Sequence, residues 1–344
     1  MDNEFEDAIE STLNAPVDRR GLLVKGGLAA AGLTMLGTPS AALAAGRLAS
    51  GKGIKVAVVT HGDTGSFWSV FKHGVDQAAK DLKSRGVSVT QVYANNDVSK
   101  QVAGINAAIA AKANVIATSV PDASALKGPL STAGNRGIEI ITVNSGEDAF
   151  DTVPAIQKTF MTHVGQDEEV AGEGAGKQFN NAGAKSVVVI IHEASNSGLT
   201  QRAAGVKKTF KGKTDTLLIP NAKSDIPGTV AKVKAYFARN KGVDAMLGLD
   251  PDVTVPCIAA APKGAKIGTF DLNGDVITNL ESGKMLFAID QQQYLQGYLP
   301  VVFAMLFVTN ANTVGNGAPV LTGPGIINKA NAAKVAALAT KGTR

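Results

Sequence analysis

The chain has 344 residues, of which 44% are hydrophobic and 18% charged, enough apolar material for a sizeable core and length for about two domains. A formal net charge of +5 is spread without a basic run or an arginine and aromatic stripe, which excludes the usual nucleic-acid footprint. The single cysteine, Cys257, excludes an intramolecular disulfide and leaves stability to the core.

The N-terminus runs Asp18-Arg19-Arg20-Gly21-Leu22-Leu23-Val24-Lys25, then a small-residue apolar stretch from Gly26 to Gly37, then Pro39 and Ala42-Leu43-Ala44. Charged region, apolar region and small-residue box in that order read as a removable export signal. The arginine pair with its two leucines resembles a twin-arginine signal, which exports folded proteins. A short amphipathic helix carrying two arginines is the alternative. Residues 1–44 are thus expected to be removed by cleavage near Ala44, leaving a periplasmic protein. No cysteine near the box invites a lipid anchor, and no run of eighteen apolar residues follows residue 50.

From Ile54 onward, short β-branched runs alternate with helical patterns, as in repeated βαβ units with a parallel sheet. The predicted strands of a first series are Ile54–Thr60, Val87–Tyr93, Asn114–Ser119 and Ile138–Val143, each a buried run. The first intervening helix puts Phe67, Val70, Phe71, Gly74 and Ala78 on one face, with Lys72, Asp76 and Lys80 off it. A second series follows at Ser186–Ile191, Thr214–Ile219, Ala245–Leu249, Ala265–Thr269 and Leu286–Ile289. Nine such strands crowd one open sheet but fit two similar lobes. The predicted fold is therefore α/β, two doubly wound parallel-sheet lobes, with the first change of lobe near His163–Asp167.

In open parallel sheets ligands bind beyond the carboxyl ends of the strands, where loops and helix N-termini converge. The polar stretches that follow the strands are His61–Trp68, Ser119–Asp122, Asn144–Glu147, Glu193–Arg202, Asp250–Asp252, Asp271–Asp275 and Asp290–Gln293. Together they offer carboxylates, carboxamides, one arginine and an aromatic pair. Such a set suits a neutral ligand with many hydroxyls, because each hydroxyl donates and accepts, while aromatic faces cover the C–H faces of a ring.

These residues resemble the type I periplasmic binding proteins of the ribose-binding and related sugar-binding group over nearly all of residues 53–328. The segments that carry the likeness are Gly65-Ser66-Phe67-Trp68-Ser69-Val70-Phe71-Lys72-His73-Gly74, Val120-Pro121-Asp122-Ala123, the run from Gly137 to Gly146, Arg202-Ala203-Ala204-Gly205, Gly268-Thr269-Phe270-Asp271 and Ala288-Ile289-Asp290-Gln291-Gln292-Gln293. The resemblance implies that Phe67 and Trp68 stack on a sugar, that Arg202 donates to its hydroxyls, and that Asn144, Asp250, Asp271 and Gln291 accept from them. Asp63, Ser119 and Gln166 fall at further contact positions. Helix capping and core packing are the competing roles for Asp250, Asp271 and Phe67. The likeness also implies a first lobe of residues 53–163 plus 292–320 and a second of 164–290 plus 321–344. A three-strand hinge joins them near His163–Asp167, Ile289–Gln292 and Pro319–Thr322. A monomer that delivers a monosaccharide or sugar alcohol to the permease of an ABC importer, without a cofactor, is the implied function.

Three departures bear on the ligand. The loop His61-Gly62-Asp63-Thr64-Gly65-Ser66 is longer and more polar than in ribose binders. Asn144 replaces a common aspartate, and Lys223 stands where ribose binders place an aromatic.

Other chemistries lack their residues. Gly172-Glu173-Gly174-Ala175-Gly176-Lys177 fails both nucleotide-loop templates and reads as close helix packing. Asp271-Leu272-Asn273-Gly274-Asp275 starts like a calcium loop without its closing glutamate. His61, His73, His163 and His192 have no zinc spacing, and no nucleophile elbow occurs. An enzyme is therefore the weaker reading, and a transcription regulator would need a helix-turn-helix where the signal segment stands. A receptor for chemotaxis or another signal shares fold and site and stays open as an alternative.

Overall fold

The computed structural model describes residues 53–62, 65–220 and 222–344. The predicted export signal and Asp63 lie outside them. Among the described residues no helix is long and apolar enough to cross a membrane.

The first lobe is built on strands β1 (Ile54–Thr60), β2 (Val87–Tyr93), β3 (Val115–Thr118), β4 (Glu139–Val143) and β5 (Phe160–Gly165). Between them run helices α1 (Gly65–Asp81), α2 (Val98–Ala110), α3 (Ala123–Asn135) and the short α4 (Ala149–Thr152). The second lobe repeats the plan with α5 (Glu168–Asn181), β6 (Ser186–Ile191), α6 (Ser197–Thr209), β7 (Lys213–Leu218), α7 (Ile226–Arg239), β8 (Ala245–Gly248), α8 (Pro251–Cys257), β9 (Lys266–Phe270), α9 (Gly274–Glu281) and β10 (Phe287–Asp290). The chain then returns through α10 (Gln293–Asn310) and β11 (Val320–Leu321) to the first lobe, and ends in the second with β12 (Gly325–Asn328) and α11 (Ala336–Lys341).

The strand orders are β11-β5-β4-β3-β1-β2 and β12-β10-β9-β8-β6-β7. Every pairing is parallel except β10 with β12. Alternate residues of β1 serve opposite faces: Val56 and Val58 pack with α1 and α10, Ala57 and Val59 with α2 and α3. Val188 and Ile190 of β6 likewise face α7, α8 and α9, while Val187 and Val189 face α5 and α6. Burial on both faces explains why these strands read as continuous apolar runs rather than alternating ones.

The glycines of Gly172–Lys177 lie inside α5, where the helix meets α6. A Cβ on Gly172 would fall 2.0 Å from the Arg202 carbonyl oxygen, and one on Gly205 2.0 Å from that of Glu169. Glycine there lets two backbones touch, which brings the first turn of α5 beside the middle of α6.

The chain crosses between lobes after β5, after β10 and between β11 and β12. The first sheet continues to Gly165, inside the expected crossing His163–Asp167, and Leu321 belongs to it as well. Thr322 ties the crossings together. Its N–H donates to Gly165 O at 2.6 Å, and its hydroxyl lies 3.0 Å from that oxygen and 2.7 Å from Gln291 O.

Candidate functional site

The carboxyl ends of both sheets face one cleft, lined by side chains of both lobes. From the first lobe, His61 follows β1, Phe67 and Trp68 stand in the first turn of α1, and Asn144 and Ser145 follow β4. From the second, His192 and Glu193 follow β6, and Asn196, Leu199 and Arg202 lie at or on α6. Lys223 precedes α7, Leu249 and Asp250 follow β8, Asp271 follows β9 and Gln291 follows β10.

Two of these side chains are aimed by unusual backbone. Asn144 has φ +60° and Asp271 φ +66°, the left-handed region that asparagine and aspartate enter more readily than other non-glycine residues. Each directly follows its strand, so the chain turns there and leaves a short polar side chain at the cavity wall.

The aromatic wall is built by edge contacts. Trp68 lies 4.8 Å from Phe67, 5.4 Å from Phe71 and 4.9 Å from His61, centroid to centroid, at steep interplanar angles. Trp68 and Phe67 are both part of the first core and of the cavity lining, so packing and lining are not alternatives here.

Arg202 is buried, with its guanidinium 4.4 Å from the centre of the Phe270 ring. Its Nε–H donates to Glu168 Oε2 at 2.6 Å and Nη2 donates to Oε1 at 2.8 Å, a bidentate pair. Burial works against the charge, but Glu168 outweighs it and raises the Arg202 pKa above its usual value. Lys223 Nζ donates to Asp250 Oδ2 at 2.8 Å. Burial opposes both charges of that pair, yet their attraction lowers the pKa of Asp250 and raises that of Lys223. Asp250 also accepts the Asp252 N–H at 2.8 Å and so caps α8.

Asp271 differs: Gln291 Nε2 donates to its Oδ1 at 2.8 Å, and no lysine or arginine pairs with it among the described residues. Burial drives its pKa well above the usual carboxylate range, with Arg202 opposing. Glu193 is held well below that range: burial raises it, but His61, 3.6 Å away across the cleft, and Asn196 overcome that.

Of the residues expected at the site, Phe67, Trp68, Asn144, Arg202, Asp250, Asp271 and Gln291 line the cavity. Ser119 and Gln166 do not. Ser119 sits beneath the wall, where its hydroxyl accepts the His61 N–H at 2.9 Å and lies 2.8 Å from Nδ1. Gln166 is buried at the first crossing, with Nε2 donating to Glu168 Oε2 at 2.8 Å. The lining also includes His61, Ser145, Glu193, Asn196 and Leu199 from stretches singled out by the strand-end rule, and His192, Lys223 and Leu249 from outside them.

Such a site offers paired charges, carboxamides, an unpaired acid and an aromatic wall. Among the described residues no cluster of three or more metal-ligating side chains occurs.

The sequence and fold have known counterparts. Residues 56–311 match the family described as periplasmic binding protein domain. The xylose/arabinose-binding protein XylF of Sulfolobus acidocaldarius is 24% identical over 276 residues, covering 76% of this chain and 67% of that protein. The xylitol-binding protein of Mycolicibacterium smegmatis is 24% identical over 248 residues, covering 71% and 67%. Among solved structures, a carbohydrate transporter from Acidothermus cellulolyticus 11B in complex with myo-inositol is 32% identical. Its TM-score is 0.78, over 85% of this chain and all of that one. With most of its length matched in both sequence and fold, the chain belongs to the periplasmic binding protein domain family and is a solute-binding receptor rather than an enzyme.

Proposed function

We propose that the protein is an exported receptor that captures one small polyhydroxy ligand, a monosaccharide, sugar alcohol or cyclitol, between its lobes and passes it to the permease of an ABC importer. One observation carries this reading: donors and acceptors from both lobes converge with an aromatic wall on one cleft. Arg202 keeps donors beyond those given to Glu168. Asn144, Asp250, Asp271 and Gln291 supply acceptors, and Trp68 supplies a face for ring C–H groups. The ligands in the names of the similar proteins, xylose, arabinose, xylitol and myo-inositol, are all of this chemical kind.

Capture works by rotation of the lobes about the three crossings that Thr322 links. The lobes meet in the structure through contacts such as Ser197 N–H to Pro121 O at 3.1 Å, which opening would break. Residues 1–44 act as the export signal, and the mature receptor works as a monomer outside the inner membrane. Mass spectrometry of the exported form is expected to find a new N-terminus near Ala45.

A thermal-shift panel of myo-inositol, xylitol, D-xylose, D-ribose and D-arabinose tests the reading, since a ligand that binds only the folded state raises the melting temperature by mass action. A rise with very few of them, with no product formed, is expected. No rise with any, or consumption of the ligand, would contradict it.

A further inference from the structure

Both cations that line the cavity are already matched by carboxylates of the protein. Arg202 and Glu168 share their bidentate pair out of solvent, and Glu168 does not itself line the cavity. It stands at the first position of α5, beside the hinge, and is held there by Gln166. The touching backbones of α5 and α6 at Gly172 and Gly205 set its reach to Arg202. Lys223 is matched in the same way by Asp250.

The remaining titratable groups facing the space are Glu193, Asp271, His61 and His192. None supplies an unmatched cation of the permanently charged kind. A guanidinium has five N–H donors in a rigid fork. Glu168 takes two of them and cancels the charge, leaving donors for hydroxyl oxygens but no net positive site for an anion. A carboxylate or phosphate on the ligand would have to displace Glu168 or Asp250, or lie unpaired beside Glu193 and Asp250.

We infer that Glu168 and Asp250 set the charge selectivity of the cleft, making it take uncharged polyols and reject the same skeleton once it bears a carboxylate or phosphate. This rests on the polyol reading and adds to it a residue, Glu168, that acts only through Arg202. Glu168 is a positioning residue, so the quantity that identifies its role is a ratio of affinities rather than an affinity.

The test pairs neutral and acidic probes: D-glucose with D-glucuronate, xylitol with D-xylonate, and myo-inositol with myo-inositol 1-phosphate, titrated by calorimetry into the wild type, Glu168→Gln, Glu168→Asp and Asp250→Asn. The wild type is expected to favour the neutral member of whichever pair it binds by about a hundredfold or more. Glu168→Gln frees the Arg202 charge and Asp250→Asn frees that of Lys223, so each should narrow the ratio by about tenfold, while Glu168→Asp keeps it even where affinity falls. Should Glu168→Gln not fold, Asp250→Asn reads the same quantity from the other pair. Wild type binding both members alike, or folded variants losing affinity for both in proportion, would overturn the inference and leave the polyol reading standing. Silence of all six probes together with D-xylose, D-ribose and D-arabinose would sink the polyol reading and this inference with it.

Discussion

Asp252 of the second lobe caps a helix of the first: its carboxylate accepts the backbone N–H of Ser66, in the opening turn of α1, at 2.8 Å, and takes the Ser66 hydroxyl on its other oxygen. Asn273 Nδ2 adds a bond to the same hydroxyl at 3.0 Å. The first N–H groups of a helix have no partner inside it, and a carboxylate there also meets the positive end of the helix dipole. Neither Asp252 nor Ser66 lines the cavity, so this contact reports on closure rather than on the ligand.

Asp252→Asn should therefore weaken every ligand by the same factor, about threefold to tenfold, because the closed population falls while the cavity wall is untouched. Calorimetry on two ligands and small-angle scattering of the saturated protein check this. A factor that differs between ligands would mean that Asp252 acts on the ligand itself.

Arg202→Ala leaves Glu168 without its ionic partner and the ligand hydroxyls without their guanidinium donor, and should reduce affinity by roughly thirty- to a thousandfold, corresponding to about 2–4 kcal/mol. Titration calorimetry measures the loss.

Trp68 is the only tryptophan of the chain and stands at the cavity wall. Ligand should change its emission, and Trp68→Ala should lower affinity by roughly tenfold through lost ring contact. Emission that ignores a ligand seen by calorimetry would place that ligand elsewhere.

His163 gives a pH dependence independent of ligand. It lies in β5, with Thr142 Oγ1 2.9 Å from Nδ1, while Nε2 has no hydrogen-bond partner. Burial pushes its pKa down to about 3, against about 6.5 in an unfolded chain. Between those values the unfolded state binds a proton that the native state refuses. This stability is thus fully present above pH 6.5 and is lost as pH falls toward 3, by about 1.4 kcal/mol per pH unit from this residue. Urea unfolding from pH 7 to pH 4 should show a shallower acid slope for His163→Gln than for the wild type.

The strands most visible in the sequence were those buried on both faces. Ile54–Thr60 and Ser186–Ile191 match residue for residue, because apolar runs bounded by polar loops leave little choice of ends. Val87–Tyr93 matches in its bounds but is not the buried run expected: it is the edge strand β2, with Ser88 and Thr90 exposed. β5 was expected only as a crossing: Thr162 and His163 interrupt its apolar run, and their burial depends on partners far along the chain, Ala318 and Thr142. β11 has two residues and no pattern to read.

At the site, the strand-end rule found the stretches but not every residue within them. Leu199 reads as core and Asn196 as a cap, which it also is. Lys223 lies beyond an edge strand, and only its bond to Asp250 in three dimensions brings it to the wall. Ser119 and Gln166 show the converse limit: sequence position led to them, but the Ser119 hydroxyl bonds His61 and the Gln166 Nε2 bonds Glu168, one layer behind the cavity.

Calorimetric titration of the wild type and Arg202→Ala with myo-inositol, xylitol, D-xylose, D-ribose and D-arabinose decides whether the cleft captures a polyol through Arg202. One site per chain is expected for very few of these polyols, weakened at least thirtyfold by the substitution, with the heat reversible and no product formed. Equal affinity in the two proteins, or no binding of any of the five by the wild type, would contradict it.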